Sequence, residues 1–109
     1  MAYNVELANR LRESLLPLTP VTEKKMFGSI IFMLNGNMLA GVYQEYLIFR
    51  IGAEQREAAL KLKGTKVFDM TGKPMKGWVM VSEEGYNNKQ LLEKWILKAM
   101  EFVKTLPAK

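Results

Sequence analysis

The sequence predicts an α+β fold built on a mainly antiparallel sheet, and three observations carry that prediction. Two apolar runs, residues 30–34 and 38–42, flank Asn35-Gly36, a pairing that favours a tight hairpin. Apolar residues recur at spacings of three and four near both ends of the chain, which gives two amphipathic helices. The strand-like runs follow one another instead of alternating with helices, which argues against a parallel α/β sheet. The predicted order is helix, meander, helix, two strands, helix, in one domain spanning residues 1–109. The two terminal helices are expected to cover one face of the sheet.

In the first helix Asn4 is placed to cap the start, and Val5, Ala8, Leu11 and Leu15 share one face. Leu7 and Leu16 widen that stripe, Arg10, Arg12 and Glu13 fall opposite, and Pro17 and Pro20 end the helix. Residues 23–51 then turn to β character. After the Asn35-Gly36 hairpin, Gln44-Glu45 marks a second turn. From there Leu47, Phe49 and Ile51 point one way and Tyr46, Ile48 and Arg50 the other. The stretch before Gly28 is a candidate fourth strand.

Residues 53–62 are rich in helix formers and end at Gly64. Residues 66–70 read as a short strand, 71–77 as a loop, 78–81 as a strand and 82–85 as a turn. Asn87 with Gln90 resembles a capping box. Leu91, Leu92, Trp95, Ile96, Ala99, Met100, Val103 and Leu106 then form a helical stripe, which Pro107 is expected to stop.

Composition excludes several chemistries. The 109 residues hold no Cys and no His, so disulfides, thiolate sites, cysteine nucleophiles and histidine general bases are absent. What remains for nucleophilic catalysis is Ser29 near Lys24 or Lys25, or Thr71 near Lys73, and both pairs sit at turns where hydroxyls bond local backbone. The carboxylates show neither calcium-loop spacing nor a glycosidase-like pair. No enzyme activity, metal or cofactor is expected. No uncharged run approaches the ~20 residues of a membrane span, and neither a signal peptide nor a lipidation motif is read at the N-terminus. A cytoplasmic protein is expected.

Sixteen Lys and Arg against eleven Asp and Glu give a net charge of +5. Lys24, Lys25, Lys73 and Lys76 form a candidate anion-binding set if their two segments adjoin, with a nucleotide or nucleic acid as ligand. Lys89, Lys94, Lys98 and Lys104 on the last helix alternate with Glu93 and Glu101 and read as a solvated face. Six of the eight methionines cluster around the same two segments. They fill core gaps or, with Phe27 and Trp78, present an adaptable surface for a protein partner or a homodimer. The candidate contact residues are Met26, Phe27, Gly28, Met75 and Trp78.

Lys24-Lys25-Met26-Phe27-Gly28-Ser29-Ile30, followed by Phe32 and Asn35-Gly36-Asn37-Met38, resembles the N-terminal domain of the TfoX/Sxy competence regulators. Thr71-Gly72-Lys73-Pro74-Met75-Lys76-Gly77-Trp78 is similar to that family's later motif. The resemblance spans about residues 5 to 105, with Ser29 where the family often has a second glycine. It implies an α+β domain, no carried-over catalytic residues, and a regulatory role in DNA uptake exerted through protein contacts. The competence regulators add a C-terminal helical domain that these residues do not include, so a stand-alone N-terminal-type domain is expected.

Overall fold

A computed structural model of the chain describes residues 3–26, 28–68 and 77–108. Helix α1 (Val5–Leu15) begins where Asn4 accepts a hydrogen bond from the Leu7 backbone N–H at 3.0 Å, the cap its sequence predicts. Its buried stripe is Leu7, Ala8, Leu11 and Leu15. Val5 and Leu16, expected on that stripe, are instead 41% and 57% exposed. The helix is rolled so that Leu7 faces the sheet, which turns Val5 in the first turn out to solvent.

The strands are β1 (Thr22–Met26), β2 (Ser29–Leu34), β3 (Asn37–Tyr43) and β4 (Tyr46–Arg50). Helix α2 (Ala53–Leu60) follows, then β5 (Thr65–Val67) and β6 (Trp78–Val81). They form one six-stranded sheet in the order β1-β2-β3-β4-β6-β5, and every neighbouring pair is antiparallel. The predicted fourth strand of the meander is therefore present as β1, at one edge. Asn35 and Gly36 have φ of 54° and 81°, the two positive values a type I′ hairpin requires.

Two helices complete the chain, α3 (Glu83–Tyr86) and α4 (Lys89–Val103). The turn expected at residues 82–85 is thus a short helix. It brings the Gly85 carbonyl to the Trp95 indole, whose Nε1–H donates to it at 3.1 Å. The cap of α4 is Asn88 rather than Asn87: its side chain accepts from the Leu91 N–H at 2.9 Å. Helix α4 ends at Val103, before Pro107, where Thr105 turns its hydroxyl to the Phe102 carbonyl. Of the strand expected at 66–70, the described part is β5, which runs from Thr65 to Val67; residues 69–76, which cover the rest of that expectation and most of the expected loop, lie outside the described residues.

Alternation divides the sheet into two apolar faces. On the inner face Phe32, Val42, Leu47, Phe49, Val79 and Val81 pack with the α1 stripe and with Leu92, Trp95, Ile96, Ala99 and Val103 of α4. Phe49 stacks on Trp95 with ring centroids 5.8 Å apart. Both terminal helices lie on this face, as predicted. On the outer face Ile31, Ile48, Phe68 and Trp78 form a second buried cluster, with Met33, Met38, Tyr43 and Met80 packed against it.

Edge strand β1 is tied to α1 by one ion pair. Arg12 Nε and Nη2 donate to the two carboxylate oxygens of Glu23, each at 2.6 Å. The Arg12 hydrogen bond, with Arg12's charge helping and partial burial opposing, holds the Glu23 carboxyl below its ordinary 4.5. A carboxyl lowered on folding adds stability that is present above its unfolded pKa and lost as pH falls through its folded value. Both side chains are about a third exposed, so solvent screening limits the contribution to about 0.5 kcal/mol. Unfolding free energies from urea titration of the protein and of Glu23→Gln are expected to differ by that amount at pH 7, and the gap to close as pH falls below 4.5.

Candidate functional site

The sequence-predicted site residues fall into three groups. Lys73, Lys76, Met75 and Phe27 lie outside the described residues. Lys24 and Lys25 are exposed on β1, opposite Ile31 and Ile30, so they share the outer and inner faces of the sheet respectively. Lysines on an exposed edge also keep that edge from pairing with other strands. Met26 closes β1 opposite Ser29, and Gly28 stands exposed in the turn with φ of 74°. Trp78, offered as a contact residue, is 3% exposed and belongs to the outer-face cluster, its ring 6.0 Å from Phe68.

Register sets the described flanks of the two glycine-containing segments apart. The β1–β2 turn at Gly28 lies at the sheet end marked by Val42, Leu47 and Val81. Gly77 enters β6 at the opposite end, where Trp78 pairs with Arg50. Three strands separate β1 from β6.

A different site emerges on the helical side. Two hollows, of about 640 and 310 Å³, run along α4 and share Lys98. The larger is lined by the start of α2 (Gly52, Ala53, Glu54 and Gln55) and by Glu101, Phe102 and Thr105 of the chain at the end of α4. The smaller is lined by Leu62 and Lys63, just past α2, by Glu84 and Gly85 of α3, and by Leu91, Lys94 and Trp95. The start of α2 thus sits by the end of α4 and its end by the start of α4, so the two helices flank one groove in antiparallel sense.

Local sequence explains the walls. Gly52 has φ of 90° and the Phe102 ring lies against it; a Cβ there would come within 2.6 Å of that ring. Only glycine allows both the turn into α2 and this close approach. The Arg50 guanidinium carbon lies 5.8 Å from the centroid of the Phe102 ring, as a cation–π neighbour. Along α4 the groove residues Leu91, Lys94, Lys98, Phe102 and Thr105 recur at spacings of three and four, one helical face. Leu62 is 48% exposed, and Leu97, on the outward stripe between Lys94 and Glu101, is 55% exposed. One end of the groove carries Lys63 and Lys94 with Glu84, the other carries Glu54 and Glu101, and Lys98 lines both.

The sequence held part of this signal. The alternation of lysine and glutamate on the last helix was visible, but it read as plain solvation. That α2 lies across from it is a tertiary fact which no local spacing encodes.

The remaining polar contacts are structural. The Tyr86 hydroxyl donates to the Glu45 carbonyl at 2.9 Å, and burial raises its pKa, so it stays a neutral phenol. Arg10 Nη2 donates to the Tyr86 carbonyl at 2.9 Å. Among the described residues no group of three or more His, Cys, Asp or Glu side chains is arranged to hold a metal ion, and no helix is long and apolar enough to cross a membrane.

Fold and groove define an α+β sheet domain with one helical layer and a cleft between two of its helices. The chain belongs to the TfoX N-terminal domain family, whose model matches residues 13–103. Neither the curated proteins nor the solved structures yielded a match.

Proposed function

We propose that the protein is a small, non-enzymatic, cytoplasmic regulatory module that works through protein contacts, as the competence regulators of its family do, and that the α2–α4 groove is the contact surface. The observation that carries this is the groove itself: exposed Leu62 and half-buried Leu91 stand beside Trp95, ringed by charged side chains. An apolar centre with a charged rim is the anatomy of a protein interface. A sequence free of cysteine accords with a reducing compartment.

Affinity capture from cells that express the protein, run in parallel with Leu62→Asp, tests the assignment. Leu62 is 48% exposed, so the variant is expected to keep the wild-type circular dichroism spectrum. Proteins held by the wild type are expected to be lost from the variant by tenfold or more, about 1.4 kcal/mol. Equal retention by both chains would contradict the assignment.

A further inference from the structure

We propose that the groove is filled by the same surface of a second copy of this chain, the two α4 helices running antiparallel about a two-fold axis near Lys98. This rests on the protein-contact reading above and names the occupant of that site.

Charge on the groove is graded along α4. Lys63 and Lys94 outnumber Glu84 toward its start, Glu54 and Glu101 lie toward its end, and Lys98 stands between, in both hollows. A two-fold rotation reverses one gradient against the other. Lys94 then faces the second copy's Glu101, Lys63 faces its Glu54, and each contact occurs twice, as an isologous interface requires. Parallel alignment of the two helices would set lysine against lysine and glutamate against glutamate. The chain therefore carries the complement of its own surface.

The apolar residues agree with this arrangement. Leu97 is 55% exposed, three residues after Lys94 and four before Glu101. Leu97 lines neither hollow but stands on the adjoining outward stripe of α4, so an axis near Lys98 brings it against the aliphatic stem of the second copy's Lys98. Leu62, 48% exposed, adds apolar area beside it. An interface of ordinary size covers roughly 800 Å² of each partner. That is about one eighth of this chain's 6476 Å², within the reach of a 15-residue helix and its flanks. Exposed ion pairs each contribute little, so the dimer is expected to be weak and to loosen with salt.

Sedimentation equilibrium on the full chain at low salt, up to about 500 µM to cover micromolar dissociation constants, tests this with Lys94→Glu, Glu101→Lys and Leu97→Asp. All three positions are exposed, and circular dichroism checks each variant for the wild-type fold. The wild type is expected to dimerise. Each charge reversal turns two attractions into two repulsions and is expected to weaken the dimer roughly thirtyfold. Leu97→Asp is expected to abolish it. An equimolar mixture of Lys94→Glu with Glu101→Lys is expected to recover a dimer, because every 94–101 contact is again between opposite charges. A wild type that stays monomeric throughout overturns the proposal, as does a mixture no more associated than its components. If the wild type is monomeric while Leu62→Asp still releases captured protein, the second copy is excluded and the protein-contact reading stands.

Discussion

Trp95→Ala is expected to cost about 3–5 kcal/mol, the range for truncating a large buried aromatic. Trp95 is 3% exposed, stacks on Phe49 at 5.8 Å and 16°, and donates its indole N–H to the Gly85 carbonyl at 3.1 Å. The substitution empties the space between α4 and β4 and leaves that carbonyl without its donor. A domain of this size holds about 5–15 kcal/mol in all, so the variant stands near the limit of folding. Trp95→Phe separates the two contributions. It keeps most of the ring contact and loses the hydrogen bond, at about 1–2 kcal/mol for the unsatisfied carbonyl plus a smaller packing loss. Urea unfolding followed by far-ultraviolet circular dichroism measures both. Equal losses for the two variants would mean that the hydrogen bond, not the stack, holds α4 to the sheet.

Gly64→Ala is expected to cost about 2–4 kcal/mol, from positive φ and a backbone clash together. Gly64 has φ of 84°, and a Cβ there would lie 2.5 Å from the Gly85 backbone nitrogen. Its carbonyl also accepts from the Ser82 N–H at 2.7 Å and from the Ser82 hydroxyl at 3.0 Å, so the turn after α2 cannot slide away from α3 without breaking those bonds. Gly64→Asn distinguishes the causes, because asparagine tolerates positive φ but carries the same Cβ. Both variants are expected to be destabilised, with asparagine recovering at most about 1 kcal/mol. Full recovery in urea unfolding would assign the whole effect to backbone conformation. The groove is built on this junction, since Leu62 and Lys63 precede Gly64 and Gly85 faces them across it.

The sequence made the fold legible wherever local chemistry decides the outcome. Asn35-Gly36 commits the chain to a hairpin through two positive φ values, and the structure has them at 54° and 81°. Leu47, Phe49 and Ile51 went to one face and Ile48 to the other because period-two alternation leaves no alternative. Sequence and structure differ where two local signals compete. Asn87 and Asn88 are both good caps, and the residue whose side chain meets the Leu91 N–H prevails. Ser82 to Gly85 reads as a turn from composition, but Glu83–Tyr86 forms helix α3, where Gly85 leaves no room for a Cβ beside Val81 and the Lys63 carbonyl. Val5 satisfies helical spacing as well as Leu7 does, and only the roll of α1 on the sheet decides between them.

The site was less legible for a physical reason. Lys24 and Lys25 are adjacent in sequence, and adjacency on a strand sends side chains to opposite faces. Trp78 begins β6 and its ring goes into the outer cluster, although a tryptophan after a lysine-bearing loop reads as a contact residue. The groove, by contrast, combines residues from α2, α3 and α4 and the turn after α2, some of them more than thirty positions apart in sequence, such as Leu62 and Lys98. Nothing short of the tertiary arrangement gathers them.

The working surface proposed for the protein is the α2–α4 groove and not the methionine-rich outer face of the sheet. The chain has no cysteine, so a single introduced thiol gives a unique attachment point for a photo-crosslinker. Labelled Leu62→Cys, in the groove, and Met38→Cys, on the outer face, would be compared under illumination with the expressing cells' extract and with added unlabelled protein. Discrete adducts are predicted from position 62, with a second copy of the chain among them, and none from position 38. Adducts from position 38 with none from position 62 would contradict the account.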